Sequence, residues 1–94
     1  MTKLIILSYD ISDNKKRTRF NKYIRRFGHR LQFSVYEIEN SNRILNNIIT
    51  DIHNKFSKEF DETDSVYIFK LSASCEVLKY GYAAHEDEPL LLVR

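Results

Sequence analysis

The chain has 94 residues, 43% of them hydrophobic, with two Gly and one Pro, which predicts one ordered domain with a modest core. Its longest purely apolar runs are four residues, too short to cross a bilayer, so no membrane partner is expected. A single cysteine, Cys75, excludes an internal disulfide. Together with the lack of a signal-peptide pattern, it predicts a cytoplasmic protein.

The net charge of +2 conceals a strong asymmetry along the chain. Residues 1–43 carry 10 Lys/Arg against 4 Asp/Glu, whereas residues 44–94 carry 5 against 9. A basic segment on an almost neutral chain favours a polyanionic partner, although a solvated helix face has the same composition. Eight of the basic residues lie close together: Lys15, Lys16, Arg17, Arg19, Lys22, Arg25, Arg26 and Arg30.

The first predicted elements are a strand and a basic helix. An apolar run predicts a buried strand over about Leu4–Asp10, which ends at a carboxylate. Ser12 or Asp13 can cap a helix over about Asp13–Phe27. Gly28 then stands where a left-handed helix cap is expected. The strand-to-helix turn thus brings an acid that could bind a metal next to cations that could bind phosphate.

A second strand is predicted over about Leu31–Glu39, because apolar and polar residues alternate there. The alternation assigns Phe33 and Val35 to the core face and Tyr36 to a semi-polar face. Further along, the pattern predicts a helix over about Arg43–Phe56, strands over Ser65–Leu71 and about Glu76–Tyr80, and a last apolar run at Leu90–Val93.

Periodicity alone leaves the topology open. The strongest predictions give the order β-α-β-α-β-β-β, and strict alternation would need parallel strands. A ferredoxin-like sheet needs β-α-β-β-α-β, and a hairpin with residues 28–31 as its first arm fits only tightly. The apolar run Leu90–Val93 has no place in a four-stranded monomer, so it is a candidate for pairing with a second copy.

Three ordered segments resemble the CRISPR-associated protein 2 family. They are Tyr9-Asp10-Ile11-Ser12-Asp13 followed by a Lys-Lys-Arg run, then Arg26-Phe27-Gly28, then Gln32-Phe33-Ser34-Val35-Tyr36-Glu37. The resemblance implies one α+β domain over residues 1–94, a ferredoxin-like two-layer sandwich with two helices packed on an antiparallel sheet and an extra C-terminal strand. It also implies a symmetric homodimer in which about 82–94 pairs with the second protomer. The implied interface residues are Leu90, Leu91, Leu92 and Val93.

The resemblance implies two activities and several site residues. One activity is metal-dependent cleavage of RNA or double-stranded DNA. The other is that of a dimeric scaffold between two dimers of the CRISPR integrase, which captures new spacer DNA. Asp10 matches the family's metal-binding acid, Tyr9 the aromatic residue before it, and Arg17 and Arg19 match basic positions on the first helix. Tyr36 replaces the Phe of many members.

Asp10 supplies one carboxylate per chain, which is too few for phosphodiester hydrolysis with a divalent metal. A two-fold axis beside the strand end would bring two copies together, which predicts one shared Mg²⁺ site. Tyr9 is a second catalytic candidate, and Arg17 and Arg19 would stabilise phosphate charge. The alternative is that Asp10 caps the turn by accepting hydrogen bonds from backbone N–H groups.

Three functional interpretations remain open. In the first, the protein is a double-stranded-DNA-binding scaffold of the integrase complex. In the second, it is a Mg²⁺-dependent endonuclease that cuts DNA or single-stranded RNA. In the third, it is a non-enzymatic, ferredoxin-like regulatory dimer. The eight clustered cations predict sequence-independent contacts to a nucleic-acid backbone, which weaken with salt. The three histidines show no metal-ligand spacing.

Overall fold

The computed structural model describes residues 2–76 and Leu78. Its elements are β1 Thr2–Asp10, α1 Asn14–Ile24, β2 Gly28–Gln32, β3 Val35–Ile38, α2 Asn42–Asn54, a short 3-10 helix at Phe56–Glu59, and β4 Ser65–Ser72. The strand predicted at Glu76–Tyr80 falls mostly outside the described residues. The segment 82–94 and the predicted interface residues Leu90–Val93 lie wholly outside them.

The four strands form one antiparallel sheet in the order β2-β3-β1-β4. β1 is central, since Leu7 lies opposite Tyr36 on β3 and opposite Ile68 on β4. Both helices pack against one face of the sheet, through a core that includes Phe20 of α1 and Ile48 of α2. This confirms the ferredoxin-like α+β prediction. No helix in the described part of the chain is long and apolar enough to cross a membrane.

The single strand predicted over Leu31–Glu39 is wrong, because this region belongs to a hairpin. β2 and β3 are joined at Phe33-Ser34 and pair with each other in antiparallel register. Tyr36, predicted on a semi-polar face, is fully buried, whereas Phe33, predicted in the core, is 73% exposed. The predicted alternation runs straight through a turn, and it therefore assigns both side chains to the wrong environment.

The helix cap predicted at Gly28 is also wrong. α1 ends at Ile24, and Arg25 is its C-terminal cap residue. Gly28 instead begins β2, opposite Ile38 of β3. A Cβ atom at position 28 would lie 2.9 Å from the Ile38 Cα and still closer to the carbonyl oxygen of Glu37. Glycine is needed here because β3 approaches closely, and not because a helix ends.

We expect Gly28→Ala to lower the free energy of unfolding by about 1–3 kcal/mol, because the added methyl group must push β2 and β3 apart. Urea denaturation followed by circular dichroism measures the change, with a lower midpoint and an unchanged slope. The control is Gln32→Ala at the other, exposed end of β2, which should stay within about 0.5 kcal/mol of wild type. A Gly28→Ala variant as stable as wild type would contradict the close approach of the two strands.

Candidate nucleic-acid and metal site

Asp10 is the last residue of β1 and lies on the sheet face that the helices leave open. Side chains alternate along a strand, and Tyr9 is buried among the core residues while Asp10 is exposed. On β4, Ser65 lies opposite Asp10. The Asp10 carboxylate makes no hydrogen bond or ion pair with any residue that the structure describes. It is therefore available to a ligand.

Other acids cap the turn that follows Asp10. The Asp13 carboxylate accepts a hydrogen bond from the backbone N–H of Lys16 at 3.0 Å and so caps α1. This bond lowers the pKa of the Asp13 carboxyl. Asp64, which precedes β4, accepts a hydrogen bond from the backbone N–H of Ser12 at 3.2 Å. The capping role that was the alternative for Asp10 is therefore filled by Asp13 and Asp64.

Asp64 joins two loops, and its side chain has no access to solvent. One carboxylate oxygen accepts from Ser12, and the other accepts from the backbone N–H of Asp61 at 3.1 Å. The Nζ atom of Lys16 lies 3.7 Å from the second oxygen and balances its charge. A buried carboxylate requires such partners, because an unpaired buried charge is very unfavourable. Asp64 thus fixes the β1–α1 turn against the loop before β4.

Arg17 holds the same turn from the helix side. Its guanidinium donates to the backbone oxygens of Ile11 at 3.0 Å and Ser12 at 3.2 Å, and to the side chain of Asn14. Hydrogen bonds from a charged donor to backbone carbonyls are stronger than neutral ones. Arg17 was predicted to bind nucleic acid, and the structure shows that part of its donor capacity is already used within the fold.

Lys16 and Arg19 are also engaged, through the 3-10 helix. Lys16 donates from Nζ to the backbone oxygen of Glu59, and Arg19 forms an ion pair with the Glu59 carboxylate. The Arg19 side chain remains 54% exposed. An exposed pair of this kind contributes little to stability, so Arg19 can exchange its partner for a phosphate.

The remaining cations of α1 are exposed. Lys15, Lys22 and Arg25 have no side-chain partner among residues 2–76 and Leu78. Residues three and four positions apart share one side of a helix. Lys15, Arg19 and Lys22 have this spacing, and Arg26 continues it just beyond the helix end. These four residues form what we call the basic ridge: Lys15, Arg19, Lys22 and Arg26.

Arg30 belongs to a different part of the surface. It lies on β2 opposite Tyr36, and its guanidinium carbon is 5.9 Å from the centre of the Phe33 ring. A guanidinium at this distance from an aromatic ring makes a cation–π contact. Arg30 and Arg17 line one pocket, which the basic ridge does not share. The eight predicted cations thus occupy more than one surface.

The sheet separates Asp10 from the other predicted site residues. Tyr9 is 5% exposed and faces the helices, where its hydroxyl accepts a hydrogen bond from the Asn21 amide at 2.9 Å. Burial raises the pKa of Tyr9, so its phenol stays protonated. Asp10 faces the opposite side, away from Tyr9 and from the basic ridge on α1. The sequence grouped these residues in one site, and the structure places them on two faces.

A metal at Asp10 would need further ligands. Within the described ranges, no three His, Cys, Asp or Glu side chains come together as a metal-binding group. The exposed, unpartnered Asp10 carboxylate fits Mg²⁺ as one ligand of a site otherwise filled by water and by a second chain. The role of Asp10 as a metal ligand stays a prediction.

Sequence reasoning missed the polar residues that organise this region. Asn21 donates from one amide nitrogen to both the Tyr9 hydroxyl and, at 2.6 Å, the Tyr36 hydroxyl. Asn21 sits among cations in a basic helix, and nothing local distinguishes it. Asp64 lies in a charged loop before β4, and nothing in the local sequence distinguishes it either. Both residues owe their roles to partners that are distant in sequence.

The fold and the charge distribution define a small ferredoxin-like domain with a strongly basic first helix. Its central strand ends in an exposed acid. The family described as CRISPR associated protein Cas2 matches residues 2–77 of the sequence. The chain belongs to this family, as the resemblance predicted.

Curated relatives and a solved structure resemble the chain. The chain is 26% identical over 85 residues to "CRISPR-associated endoribonuclease Cas2 4" of Rhodospirillum rubrum, which covers 90% of this chain and 66% of the relative. It is 29% identical over 92 residues to "CRISPR-associated endoribonuclease Cas2 3" of Chloroflexus aurantiacus, with 95% of each covered. A hypothetical protein from Thermus thermophilus superposes with a TM-score of 0.69 at 22% identity, covering 99% of this chain and 100% of that one.

We expect Arg17→Ala to lower the stability of the fold and Lys22→Ala to leave it nearly unchanged. Arg17→Ala leaves the carbonyls of Ile11 and Ser12 without their donor and should lower the free energy of unfolding by about 2 kcal/mol. Lys22→Ala removes an exposed side chain that has no partner in the described part of the chain, and it should change the free energy of unfolding by less than about 0.5 kcal/mol. Thermal and urea denaturation of both variants measure the difference. Equal stabilities would mean that Arg17 does not hold the turn.

Proposed function

We propose that this protein is a homodimeric, double-stranded-DNA-binding scaffold of CRISPR adaptation, which contacts duplex DNA through the basic ridge and stands between copies of the integrase. The observation that carries the proposal is that Lys15 and Lys22 are exposed and lack partners among the described residues. Such cations can neutralise phosphates without first breaking a bond within the protein. Membership of the Cas2 family supports the CRISPR setting.

The basic ridge is suited to contact the DNA backbone independently of base sequence. On a helix, the Cβ atoms of residues three or four positions apart lie about 5–6 Å from one another, so the cations of the basic ridge follow one line along α1. Lys and Arg contacts to phosphates position a protein on a duplex and carry no sequence information directly. A scaffold that receives DNA of arbitrary sequence needs this kind of contact. A dimer would present two ridges to one length of duplex.

The open sheet face supports a homodimer. Tyr67 and Phe69 on β4 are 59% and 47% exposed, and their rings stack with centroids 6.1 Å apart. Ile6 of β1 lies opposite Phe69, so apolar groups continue across the two strands. An exposed apolar patch of this kind favours a protein partner. A second copy on this face, together with the predicted pairing by Leu90–Val93, would bring the open faces of two chains together.

A metal-dependent endoribonuclease is the second candidate, and it rests on the Asp10 carboxylate, which has no partner among residues 2–76 and Leu78. A dimer through the open face would place both Asp10 side chains on the buried side of the assembly, near its rim. Bound Mg²⁺ would supply an activated water for phosphodiester hydrolysis. Asp10 from each chain would supply oxygen ligands. Both named relatives are called endoribonucleases, which favours RNA as the substrate of this activity.

We expect the double variant Lys15→Glu, Lys22→Glu to bind a labelled blunt duplex at least about tenfold more weakly than wild type. Its salt dependence should be shallower, by about 0.9 in the log–log slope for each phosphate that the protein no longer neutralises. Fluorescence anisotropy at several salt concentrations measures both quantities. Both side chains lack partners among the described residues, so the fold should be unaffected.

The matched control is Lys70→Glu, which reverses an exposed charge on β4, away from α1. It should bind the duplex as wild type does. A double variant with wild-type affinity would exclude the basic ridge. Wild-type protein without any salt-sensitive affinity for nucleic acid would favour the regulatory-dimer interpretation.

We expect Asp10→Asn to abolish Mg²⁺-dependent cleavage of single-stranded RNA while duplex binding persists, because Asp10 and the ridge lie on opposite faces. Removing the metal with a chelator should have the same effect on the wild type. Cleavage of labelled RNA and anisotropy with duplex DNA are measured on the same preparations. Glu62→Gln, which neutralises another exposed acid, should cleave normally. Cleavage that survives Asp10→Asn would remove Asp10 from the reaction.

A further inference from the structure

A pocket of about 260 Å³ lies between α1 and the β2–β3 hairpin, on the side of the helix away from the 3-10 helix. It is lined by Tyr9, Arg17, Thr18, Asn21, Arg30 and Phe33. Two guanidinium groups, an exposed aromatic ring and two hydroxyls therefore converge on one small volume. A duplex cannot enter a space of this size, whereas a single nucleotide unit can occupy it.

Phe33 is the unusual member of this group. It stands at the tip of the hairpin and is 73% exposed, the largest exposure among the big apolar side chains of the described residues. Arg30 packs over its ring at 5.9 Å. A ring with one exposed face and a neighbouring cation is an arrangement on which a nucleobase can stack.

The polar wall of the pocket is preorganised. Arg17 is held by the carbonyls of Ile11 and Ser12, so its position is fixed before any ligand arrives. The Tyr9 hydroxyl accepts from Asn21 at 2.9 Å, and its own proton is left to donate. Burial raises the pKa of the Tyr9 phenol, which therefore keeps its proton. Both guanidinium groups line the same pocket as this phenol.

We propose that this pocket binds one unpaired nucleotide of a nucleic-acid strand, with its base stacked on Phe33 and its phosphate held by Arg17 and Arg30. The inference rests on the proposed nucleic-acid binding and adds a substrate class to it. A base within a duplex is stacked and paired, so its face is not free. Only an overhanging or flipped-out base can reach an aromatic side chain.

The test compares three labelled probes built on one duplex. The first is blunt, the second ends in an unpaired deoxyribonucleotide carrying 2-aminopurine, and the third ends in the corresponding ribonucleotide. Wild-type protein should bind the overhanging probes about 5-fold to 150-fold more tightly than the blunt one, since stacking on an aromatic ring has this effect. The fluorescence of 2-aminopurine should fall on binding, because stacking quenches it.

Variants then assign the effect to the hairpin tip. Phe33→Ala should lose both the preference and the quenching, and should bind the blunt probe as wild type does. Phe33→Trp should keep both, because it retains a stacking surface. Ile49→Ala, which removes an exposed apolar side chain from α2, should behave as wild type. Arg30→Ala should weaken binding of the overhanging probes and leave blunt binding nearly unchanged.

The outcomes separate this inference from the backbone-binding proposal. Salt-dependent binding of the blunt probe without any preference for an overhang would overturn the pocket and leave the basic ridge intact. A preference that persists in Phe33→Ala would also overturn it. Wild-type protein that binds no probe would overturn both proposals. Equal preference for the two sugars would support recognition of base and phosphate, and a stronger ribonucleotide preference would support RNA as the ligand.

Discussion

The buried carboxylate of Asp64 is the constraint on which the candidate site depends. It accepts hydrogen bonds from backbone N–H groups on both sides of the gap between the β1–α1 turn and the loop before β4. Because Asp64 and Asp13 cap this turn, Asp10 is released from any structural role within the described residues. Lys16 balances the charge of this carboxylate, so one cation of the basic segment is engaged within the fold. Asp64, distant in sequence, thus engages Lys16 and fixes the turn beside Asp10.

Two basic surfaces lie along α1, and they differ in how their cations are held. The basic ridge consists of exposed cations, two of them unpartnered within the described residues, which suit a backbone of any sequence. The pocket beside the hairpin has a fixed Arg17 and an aromatic ring, which suit one oriented ligand. Both surfaces lie on the side of the sheet that carries the helices, whereas Asp10 lies on the open face. The proposed nucleic-acid-binding residues and the predicted metal ligand therefore lie on different faces of the domain.

Much of the fold was readable from the sequence. The apolar patterns correctly located β1, both helices and β4, and the family resemblance supplied the ferredoxin-like topology. The sequence left the β2–β3 hairpin as an open alternative, because its turn, Phe33-Ser34, contains Ser, a weak turn former, but no Gly, Pro, Asn or Asp. The sequence also identified the cluster of cations and the acid at the end of β1. It could not show which cations are already paired, because Lys16, Arg17 and Arg19 meet their partners only in the folded chain.

The side-chain amide of Asn21 donates hydrogen bonds to both Tyr9 and Tyr36 and so links these three residues. Its nitrogen serves the hydroxyls of Tyr9 and Tyr36, which lie on different strands and stack with ring centroids 6.4 Å apart. Replacing Tyr36 by Phe would leave one amide hydrogen of Asn21 without its acceptor. The free-energy costs of substituting Tyr36 and Asn21 should therefore not be additive. Substitutions at positions 9, 21 and 36 should therefore be energetically coupled, because each changes the hydrogen bonds left to the other two residues.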